Sequence, residues 1–276
     1  MNNRMFTAQP LTPRVGTQVR IDVKTLLSAA ASQEIRKVLD ERGVICFRGL
    51  HLTDEQQLRF AGTLGTISDE SADGIFKVST NPLLNPNTRL ANYQRASFTW
   101  HFDGYGRDVP YLATMLNPRG LSSSGGQTQI ANANAAFDDL SDDEKRYLET
   151  LRVVHNFETA MRTVSPWPTY AELREWQRQP TKTHPLVWRH RSGRKSLVLG
   201  HSASHVEGME LGEGRALLCR LCEWVTQPQY VYQHEWQMGD LLIWNNTTML
   251  HRVVPYPPDS ARLMHRTTLF GEEPLV

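Results

Sequence analysis

The stretch TWHFDG, residues 99–104, places an imidazole and a carboxylate two residues apart. In an extended segment successive side chains point to opposite faces, so His101 and Asp103 are expected on the same face. Two side chains of these types on one face can bind the same metal ion. On its own, the pair is explained equally well by a histidine and an aspartate that hydrogen-bond at the end of a strand.

A second histidine is needed to complete a metal site. The best candidate is His251, which lies far downstream in the apolar run MLHRVV at residues 249–254. With His101 and Asp103 it would form a 2-His-1-carboxylate face, the ligand set that leaves open positions on non-haem iron(II). The prediction is that two strands far apart in sequence meet at one ion.

Length and composition limit the class of protein. The chain has 276 residues, and 30 Lys+Arg against 29 Asp+Glu leave a formal charge of +1 without a long run of either sign. The charge distribution therefore lacks the basic patch of a nucleic-acid binder. No apolar run approaches the roughly 18 residues that span a bilayer. Three cysteines fit a reducing compartment. We therefore expect one cytoplasmic domain over residues 1–276, with no nucleic-acid or membrane partner.

Short β-rich segments separated by turns dominate the chain. Strands are predicted at residues 43–49, 110–116, 126–132, 186–191, 195–199, 240–244, 248–254 and 262–270. Helices are predicted at residues 24–41, 53–64, 141–151 and 213–226, and residues 66–98 are predicted to be a long connection with short strands. This pattern favours a mainly β fold with peripheral helices around a jelly-roll (double-stranded β-helix) core.

One segment stands apart from this pattern. Residues 153–185 contain Trp167, Tyr170 and Trp176 among several prolines. The segment is a candidate lid with an aromatic inner face, and an ordered surface excursion explains it equally well.

Two arginines share one face of the last predicted strand. Arg262 and Arg266 are four residues apart, so in an extended strand they point the same way. Two guanidinium groups on an inward face are costly unless each meets an anion. An arginine can bind a carboxylate through two parallel hydrogen bonds, which a lysine cannot do. The strand therefore predicts two positions that bind anions.

These features occur in a recognisable order along the chain. In sequence they are Trp100-His101-x-Asp103, Gly125-Gly126-x-Thr128, Gly239-Asp240-Leu241, Trp244-x-Asn246, His251 and Arg262-x3-Arg266. The order resembles the taurine / 2,4-dichlorophenoxyacetate dioxygenase superfamily of Fe(II)/2-oxoglutarate-dependent oxygenases. The resemblance runs from about residue 35 to 270, and the stretch at 200–208 looks closer to the herbicide-degrading aryloxyalkanoate branch.

The resemblance implies an enzyme and its cofactors. It implies that His101, Asp103 and His251 ligate the catalytic iron(II), and that Thr128 and Arg262 hold the distal carboxylate of 2-oxoglutarate. Such a dioxygenase converts 2-oxoglutarate and O2 to succinate and CO2 while it oxidises a C–H bond of a second substrate. The carboxylate at position 103 favours hydroxylation, because halogenating relatives carry a small residue there.

The same resemblance bears on the second substrate. Arg266 matches the position at which relatives hold the anionic group of that substrate; pairing with a structural carboxylate is the alternative. Taurine-type relatives place a histidine in the loop before the His-x-Asp, and residues 66–98 contain none. With Phe76, Tyr93 and Tyr105 as candidate contacts, the expected substrate is a small apolar or aromatic organic acid.

Other functions stay open. Similar relatives desaturate amino-acid-derived compounds, so oxidative tailoring of such a metabolite in specialised biosynthesis is one alternative. A non-catalytic jelly roll that senses a ligand is another, and two histidines with one carboxylate can also bind zinc in a hydrolase. Association into a homo-oligomer is expected by analogy with these oxygenases.

Overall fold

The computed structural model describes residues 5–85 and 87–276, and no side chain of residues 88–90. In this part of the chain the strands are β1 (Thr7–Pro10), β2 (Thr17–Arg20), β3 (Val44–Phe47), β4 (Phe76–Val78), β5 (Ala113–Gly120), β6 (Thr128–Asn132), β7 (Arg152–His155), β8 (Lys182–Pro185), β9 (Val187–Arg189), β10 (Lys195–Leu197), β11 (Ala203–Val206), β12 (Val231–His234), β13 (Leu241–Asn245), β14 (Met249–Val253) and β15 (Leu263–Leu269). The α-helices are α1 (Val23–Leu26), α2 (Ala29–Arg42), α3 (Asp54–Leu64), α4 (Thr88–Gln94), α5 (Ala133–Asp138), α6 (Asp142–Leu148), α7 (Phe157–Arg162), α8 (Tyr170–Trp176) and α9 (Leu211–Val225). Within the same ranges, no helix has the length and apolar character needed to cross a membrane.

The larger sheet has seven strands in the order β1-β2-β3-β13-β5-β15-β4. Its neighbouring strands are antiparallel except for β2 and β3. Thr114 of β5 pairs with Trp244 of β13, while Arg266 of β15 pairs with Leu116 on one side and Phe76 on the other. Paired residues share a face, and so do residues two apart along a strand. These five side chains therefore lie on one face of the sheet.

A smaller sheet carries the second half of the candidate site. Its order is β12-β6-β14, in which His251 pairs with Ile130 and Val253 with Thr128. His251 and Thr128 consequently share a face. His101 adds a bridge to the free side of β14, opposite His251. Separate small sheets are formed by β11-β7-β8 and by the hairpin β9-β10.

Both faces of the larger sheet are covered. Val44 and Cys46 pack with Ile130 of the smaller sheet, while Ile45 and Phe47 pack with apolar residues of α2 and α3 on the other side. All four residues of β3 are fully buried. This explains why the strand is an unbroken apolar run rather than an alternating one.

The helix predictions differ in their outcome. The capping box of Thr53 and Gln56 is present at the start of α3, as predicted. The helix predicted at residues 24–41 is divided in two, because Ser28 adopts an extended backbone conformation and accepts a hydrogen bond from the amide of Ala31. In the predicted connection 66–98, α4 and a 3-10 turn at Arg95–Phe98 accompany the single strand β4.

The segment 153–185 is anchored at both ends. It starts in β7 and ends in β8, and these two strands pair with each other. Of its three aromatic residues, Trp176 is buried in a cluster that includes Met161 and Tyr93. Trp167 and Tyr170, which would line an inner face if the segment were a lid, are 93% and 80% exposed.

The predicted fold class is confirmed. A large mixed sheet packs through a shared apolar core against a smaller antiparallel sheet, and the helices lie at the periphery. The architecture is that of a jelly roll.

Candidate metal centre

Two imidazoles and one carboxylate converge at one point of the fold. His101, Asp103 and His251 each offer one ligand atom, and these three atoms lie within 4.8 Å of one another. His101 Nε2 is 4.0 Å from Asp103 Oδ1, and His251 Nε2 is 3.7 Å from Asp103 Oδ2. In residues 5–85 and 87–276 this is the only group of its kind that could hold a metal ion. The structure thus brings together the three residues predicted as ligands.

Backbone hydrogen bonds hold the two histidines in register. The amide of His101 donates to the carbonyl of His251 at 3.0 Å, and the amide of His251 donates back to the carbonyl of His101 at 2.7 Å. His101 Nδ1 lies 2.9 Å from the carbonyl oxygen of Thr99. A carbonyl can only accept, so Nδ1 carries the proton and Nε2 presents its lone pair. The ring of His251 packs against Trp244, with centroids 4.6 Å apart.

A chain of hydrogen bonds orients the carboxylate. Thr114 Oγ1 donates to Asp103 Oδ2 at 2.9 Å, and Asn246 Nδ2 donates to Thr114 Oγ1 at 2.8 Å. The indole Nε1 of Trp244 donates to Asn246 Oδ1 at 2.9 Å, which fixes the orientation of that amide. The predicted motif Trp244-x-Asn246 therefore acts on the candidate site through Thr114.

Burial and nearby charges set the protonation states of the three candidate ligands. Burial lowers the pKa of His101 to about 3 and that of His251 to about 4, so both imidazoles are neutral at pH 7. Burial opposes ionisation of Asp103, but two positive charges outweigh it and hold the pKa of this carboxyl below its ordinary value: His251, which is protonated at the low pH where the carboxyl titrates, and Arg266, which is charged throughout. Neutral imidazole and ionised carboxylate are the forms that bind metals.

A third histidine lies against the group and was not predicted as a site residue. His201 stacks on His101 with ring centroids 4.8 Å apart and an interplanar angle of 5°. Its amide donates to the carbonyl of Trp100 at 2.8 Å. A Cβ on Gly200 would come within 2.8 Å of the Cα of His101, so glycine is needed for this close approach. The stretch at 200–208 was the only sequence signal for it.

The buried neutral histidines make the metal-free protein sensitive to acid. Burial lowers the pKa of His155, which is no candidate ligand, to about 3. An unfolded histidine takes up a proton near pH 6.5, whereas buried His155 does so only near pH 3. The free energy of unfolding therefore does not depend on this group above about pH 6.5, and it falls as the pH drops from about 6.5 towards 3. This single group should remove about 2 kcal/mol of unfolding free energy between pH 7.5 and 5. Denaturant melts of His155→Gln should show a correspondingly shallower pH dependence than wild type; identical slopes would contradict the assignment.

Arg262 is a buried cation whose neighbours are a backbone carbonyl and an aromatic ring. Its Nε donates to the carbonyl of Gly126 at 3.2 Å, and its guanidinium lies 4.8 Å from the ring centre of Tyr256. Its side chain borders a cavity of about 240 Å³ together with Trp236. In the described part of the chain, no Asp or Glu oxygen lies within ion-pair distance of it. The anionic group of a ligand would stabilise such a cation.

Thr128 stands next to this cavity. It is 2% exposed, and its Oγ1 accepts a hydrogen bond from Trp236 Nε1 at 3.1 Å. Because the indole can only donate, the hydroxyl hydrogen of Thr128 is left to donate to another acceptor. Gly126 has φ +82°, and a Cβ there would come within 3.1 Å of Arg262 Nε. The motif Gly125-Gly126-x-Thr128 thus makes room for the guanidinium.

Arg266 occupies a different position. Its Nη2 donates to Glu70 Oε1 at 2.9 Å, and its guanidinium lies 4.7 Å from the ring centre of Phe76. Its charge reaches Asp103 and His251, whose pKa values it lowers. Phe76, a predicted substrate contact, is therefore beside Arg266, and the latter already has an acidic partner.

The two predicted tyrosines lie in apolar surroundings. Tyr105 packs with the cluster around Phe102 and stacks on His155 with centroids 6.3 Å apart; burial raises the pKa of its hydroxyl to about 12. Tyr93 packs edge-on against Phe157 at 5.4 Å and accepts a hydrogen bond from Trp176 Nε1 at 3.4 Å. No contact joins Tyr93 to the three candidate ligands in the described residues.

The donor set defines what the centre can do chemically. Two imidazole nitrogens and one carboxylate suit a divalent transition metal and leave open coordination positions for other ligands. A buried arginine and a threonine beside one cavity suit a dicarboxylate, while Arg266 lies within electrostatic reach of the same centre. The residues therefore fit iron(II) together with a chelating acid.

The sequence matches a known family over most of its length. Residues 7–268 match the family described as Taurine catabolism dioxygenase TauD, TfdA family.

Individual relatives are similar along nearly the whole chain. The alpha-ketoglutarate-dependent 2,4-dichlorophenoxyacetate dioxygenase of Cupriavidus pinatubonensis is 33% identical over 286 residues, which cover 96% of this chain and 98% of that protein. The alpha-ketoglutarate-dependent sulfate ester dioxygenase of Pseudomonas putida is 30% identical over 274 residues, covering 96% and 90%. The crystal structure of AAD-2 in complex with Mn(II) and N-oxalylglycine is similar with a TM-score of 0.88 and 31% identity, covering 98% of both chains.

Proposed function

This chain belongs to the taurine catabolism dioxygenase TauD, TfdA family of Fe(II)/2-oxoglutarate-dependent oxygenases, and from that premise we propose that it hydroxylates a C–H bond of a small organic acid with an apolar or aromatic body. The chain is an oxidoreductase that uses iron(II), 2-oxoglutarate and O2 on a small-molecule substrate. The observation that carries the proposal is the convergence of two imidazole nitrogens and a carboxylate within electrostatic reach of Arg266, with Arg262 buried four residues earlier in the chain.

In this proposal His101, Asp103 and His251 hold the iron and form the catalytic centre. Iron(II), with 2-oxoglutarate and O2, supplies the oxidative decarboxylation that yields succinate and CO2 and oxidises the substrate C–H bond. The protein keeps both imidazoles neutral through burial. It also orients the Asp103 carboxylate through the hydrogen bond from Thr114.

Thr128 and Arg262 hold the distal carboxylate of 2-oxoglutarate. Support comes from the burial of Arg262 without an acidic partner in the described chain and from its place beside the cavity of about 240 Å³. The hydroxyl of Thr128 adds a donor, because Trp236 occupies it as an acceptor. Two donors of this kind, one of them charged, suit a carboxylate.

Arg266 binds the acid group of the prime substrate, and aromatic side chains receive its apolar body. Phe76 lies against the guanidinium, and Tyr105 follows the candidate ligand Asp103 by two residues. Tyr93 is proposed as a further contact of this apolar body, and it accepts a hydrogen bond from Trp176 of the 153–185 segment.

That segment is proposed as a lid on a single domain that spans residues 1–276. The pairing of β7 with β8 gives it a fixed base, and Trp167 and Tyr170 within it are exposed. A lid would exclude water from the reacting centre.

The test is succinate formation. Protein loaded with iron(II) and 2-oxoglutarate without oxygen is exposed to air in the presence of aryloxyalkanoates, alkyl sulfate esters, sulfonates and amino-acid-derived acids. We expect succinate to rise with one class of organic acid and the hydroxylated product to appear in equal amount. Failure to bind 2-oxoglutarate would contradict the oxygenase proposal, as would hydrolysis of an ester with zinc in place of iron and no succinate.

A further inference from the structure

Arg266 has an anionic partner within the chain. Its ion pair with Glu70 is 2.9 Å long, and the two side chains are 20% and 22% exposed. Glu70 lies in the loop between α3 and β4, and this loop is attached to β15 by the hydrogen bond from the amide of Ser68 to the carbonyl of Thr268 at 2.8 Å. The position proposed for the substrate's acid group is therefore already neutralised.

The ion pair uses only part of each partner. Arg266 Nε is buried and donates to no acceptor in the described chain. The recorded bond engages Oε1 of Glu70, and within residues 5–85 and 87–276 no donor is found for Oε2. A buried N–H without an acceptor is costly, and an acceptor atom of a ligand would satisfy it. The ion pair thus leaves one donor on Arg266 and one acceptor on Glu70 for a ligand.

Charge balance restricts which molecule can complete this pair. A simple carboxylate would place a further negative charge beside Glu70, which already neutralises Arg266. Like charges close together in a partly desolvated site oppose binding. A molecule that carries a protonated nitrogen near its acid group adds no net charge, and its N–H groups can donate to Glu70.

This inference rests on the role proposed above for Arg266. We propose that Glu70 is a second recognition residue and that the prime substrate is a zwitterion, an acid with a protonated amine a few bonds from the acid group, such as an α-amino acid with an apolar side chain. The acid group accepts a hydrogen bond from Arg266 Nε, and the ammonium donates to Glu70 Oε2. The apolar side chain lies towards Phe76.

Matched pairs of ligands test the proposal. Phenylalanine, leucine and tryptophan are each compared with the acid that lacks only the amine: 3-phenylpropionate, 4-methylpentanoate and indole-3-propionate. Each compound is titrated without oxygen into protein loaded with iron(II) and 2-oxoglutarate, and binding is measured by calorimetry and by the visible band of the iron-bound 2-oxoglutarate. The variant is Glu70→Gln, which keeps the shape and removes the charge. Its control is Asp69→Asn, the same change at the adjacent exposed carboxylate.

The expected result is a reversal of preference. In wild type at least one amino acid should bind about tenfold or more tightly than its amine-free partner. Glu70→Gln should weaken binding of the amino acid and strengthen binding of the amine-free acid, whereas Asp69→Asn should change neither affinity. Tighter binding of the amine-free acids to wild type would overturn the proposal, as would an equal effect of Glu70→Gln on both members of each pair, since Glu70 would then only compete for Arg266. Loss of 2-oxoglutarate binding before any of these ligands is added would instead refute the oxygenase proposal.

Discussion

The His251→Ala variant is expected to lose iron(II) binding and turnover together. The substitution removes one of only three ligand atoms that converge at the candidate centre, and no other His, Cys, Asp or Glu in the described chain is placed to replace it. Loss of a residue that merely supports a metal ligand already costs 10- to 100-fold in affinity, so loss of a ligand should cost more than about 100-fold. Iron content after anaerobic loading and gel filtration measures binding, and succinate formation measures turnover.

A second histidine variant serves as the control. His205 bonds to Ser204 and lies outside the candidate ligand group, so His205→Ala should load a full equivalent of iron(II). A His251→Ala protein that retained one equivalent of tightly bound iron would exclude His251 as a ligand. Circular dichroism of both variants verifies that the fold is intact.

Replacement of Arg262 by glutamine should weaken 2-oxoglutarate binding by about 100-fold or more. Breaking a buried ion pair by removal of one partner costs about 3–5 kcal/mol, and Arg262 is buried with no acid of the chain to pair with. The effect should be on the KM for 2-oxoglutarate and on its affinity measured in the absence of a prime substrate. Addition of guanidinium ion to the variant should restore part of that affinity.

The neighbouring arginine provides the contrast. Arg266→Gln should leave the affinity for 2-oxoglutarate within a few-fold of wild type, but it should strongly weaken binding of the substrate that is oxidised. The reason is that the two guanidinium groups have different partners. Equal losses for both ligands in either variant would contradict the assignment of separate positions.

The parts of the fold that could be predicted are those in which burial determines the residue pattern. The strands predicted at 240–244, 248–254 and 262–270 agree with β13, β14 and β15 to within one residue. Most side chains of these strands are buried, and their apolar and β-branched residues carry the strand signal. The strand β5 continues through Pro118 to Gly120, where prediction placed a turn. Proline lacks an amide, and here a register shift between Leu263 and Met264 accommodates it.

Some residues of the candidate site could also be predicted from the sequence, and others could not. His101 and Asp103 could be paired from their spacing, and His251 was found because the ligand set was incomplete without it. Glu70 could not be predicted, because one acidic residue in a loop carries no sign of the strand it will face. His201 was equally inaccessible, since its contact with His101 depends on the close approach of two backbones at Gly200. The roles of these residues stay predictions until the variants are measured.

The reciprocal hydrogen bonds between His101 and His251 have a consequence for the timing of iron uptake. A ribosome that has made 240 residues has produced two of the three candidate ligands but neither the strand that pairs with His101 nor the arginines that follow it. Bringing His101 and His251 together closes a long loop and costs conformational entropy, and the packing of the two sheets offsets this cost. A nascent or truncated chain of that length is therefore expected to bind iron(II) weakly, and we expect the metal to enter after the last strands have folded. Incomplete chains would then hold little iron, so that iron and O2 would not react on them in the absence of a substrate.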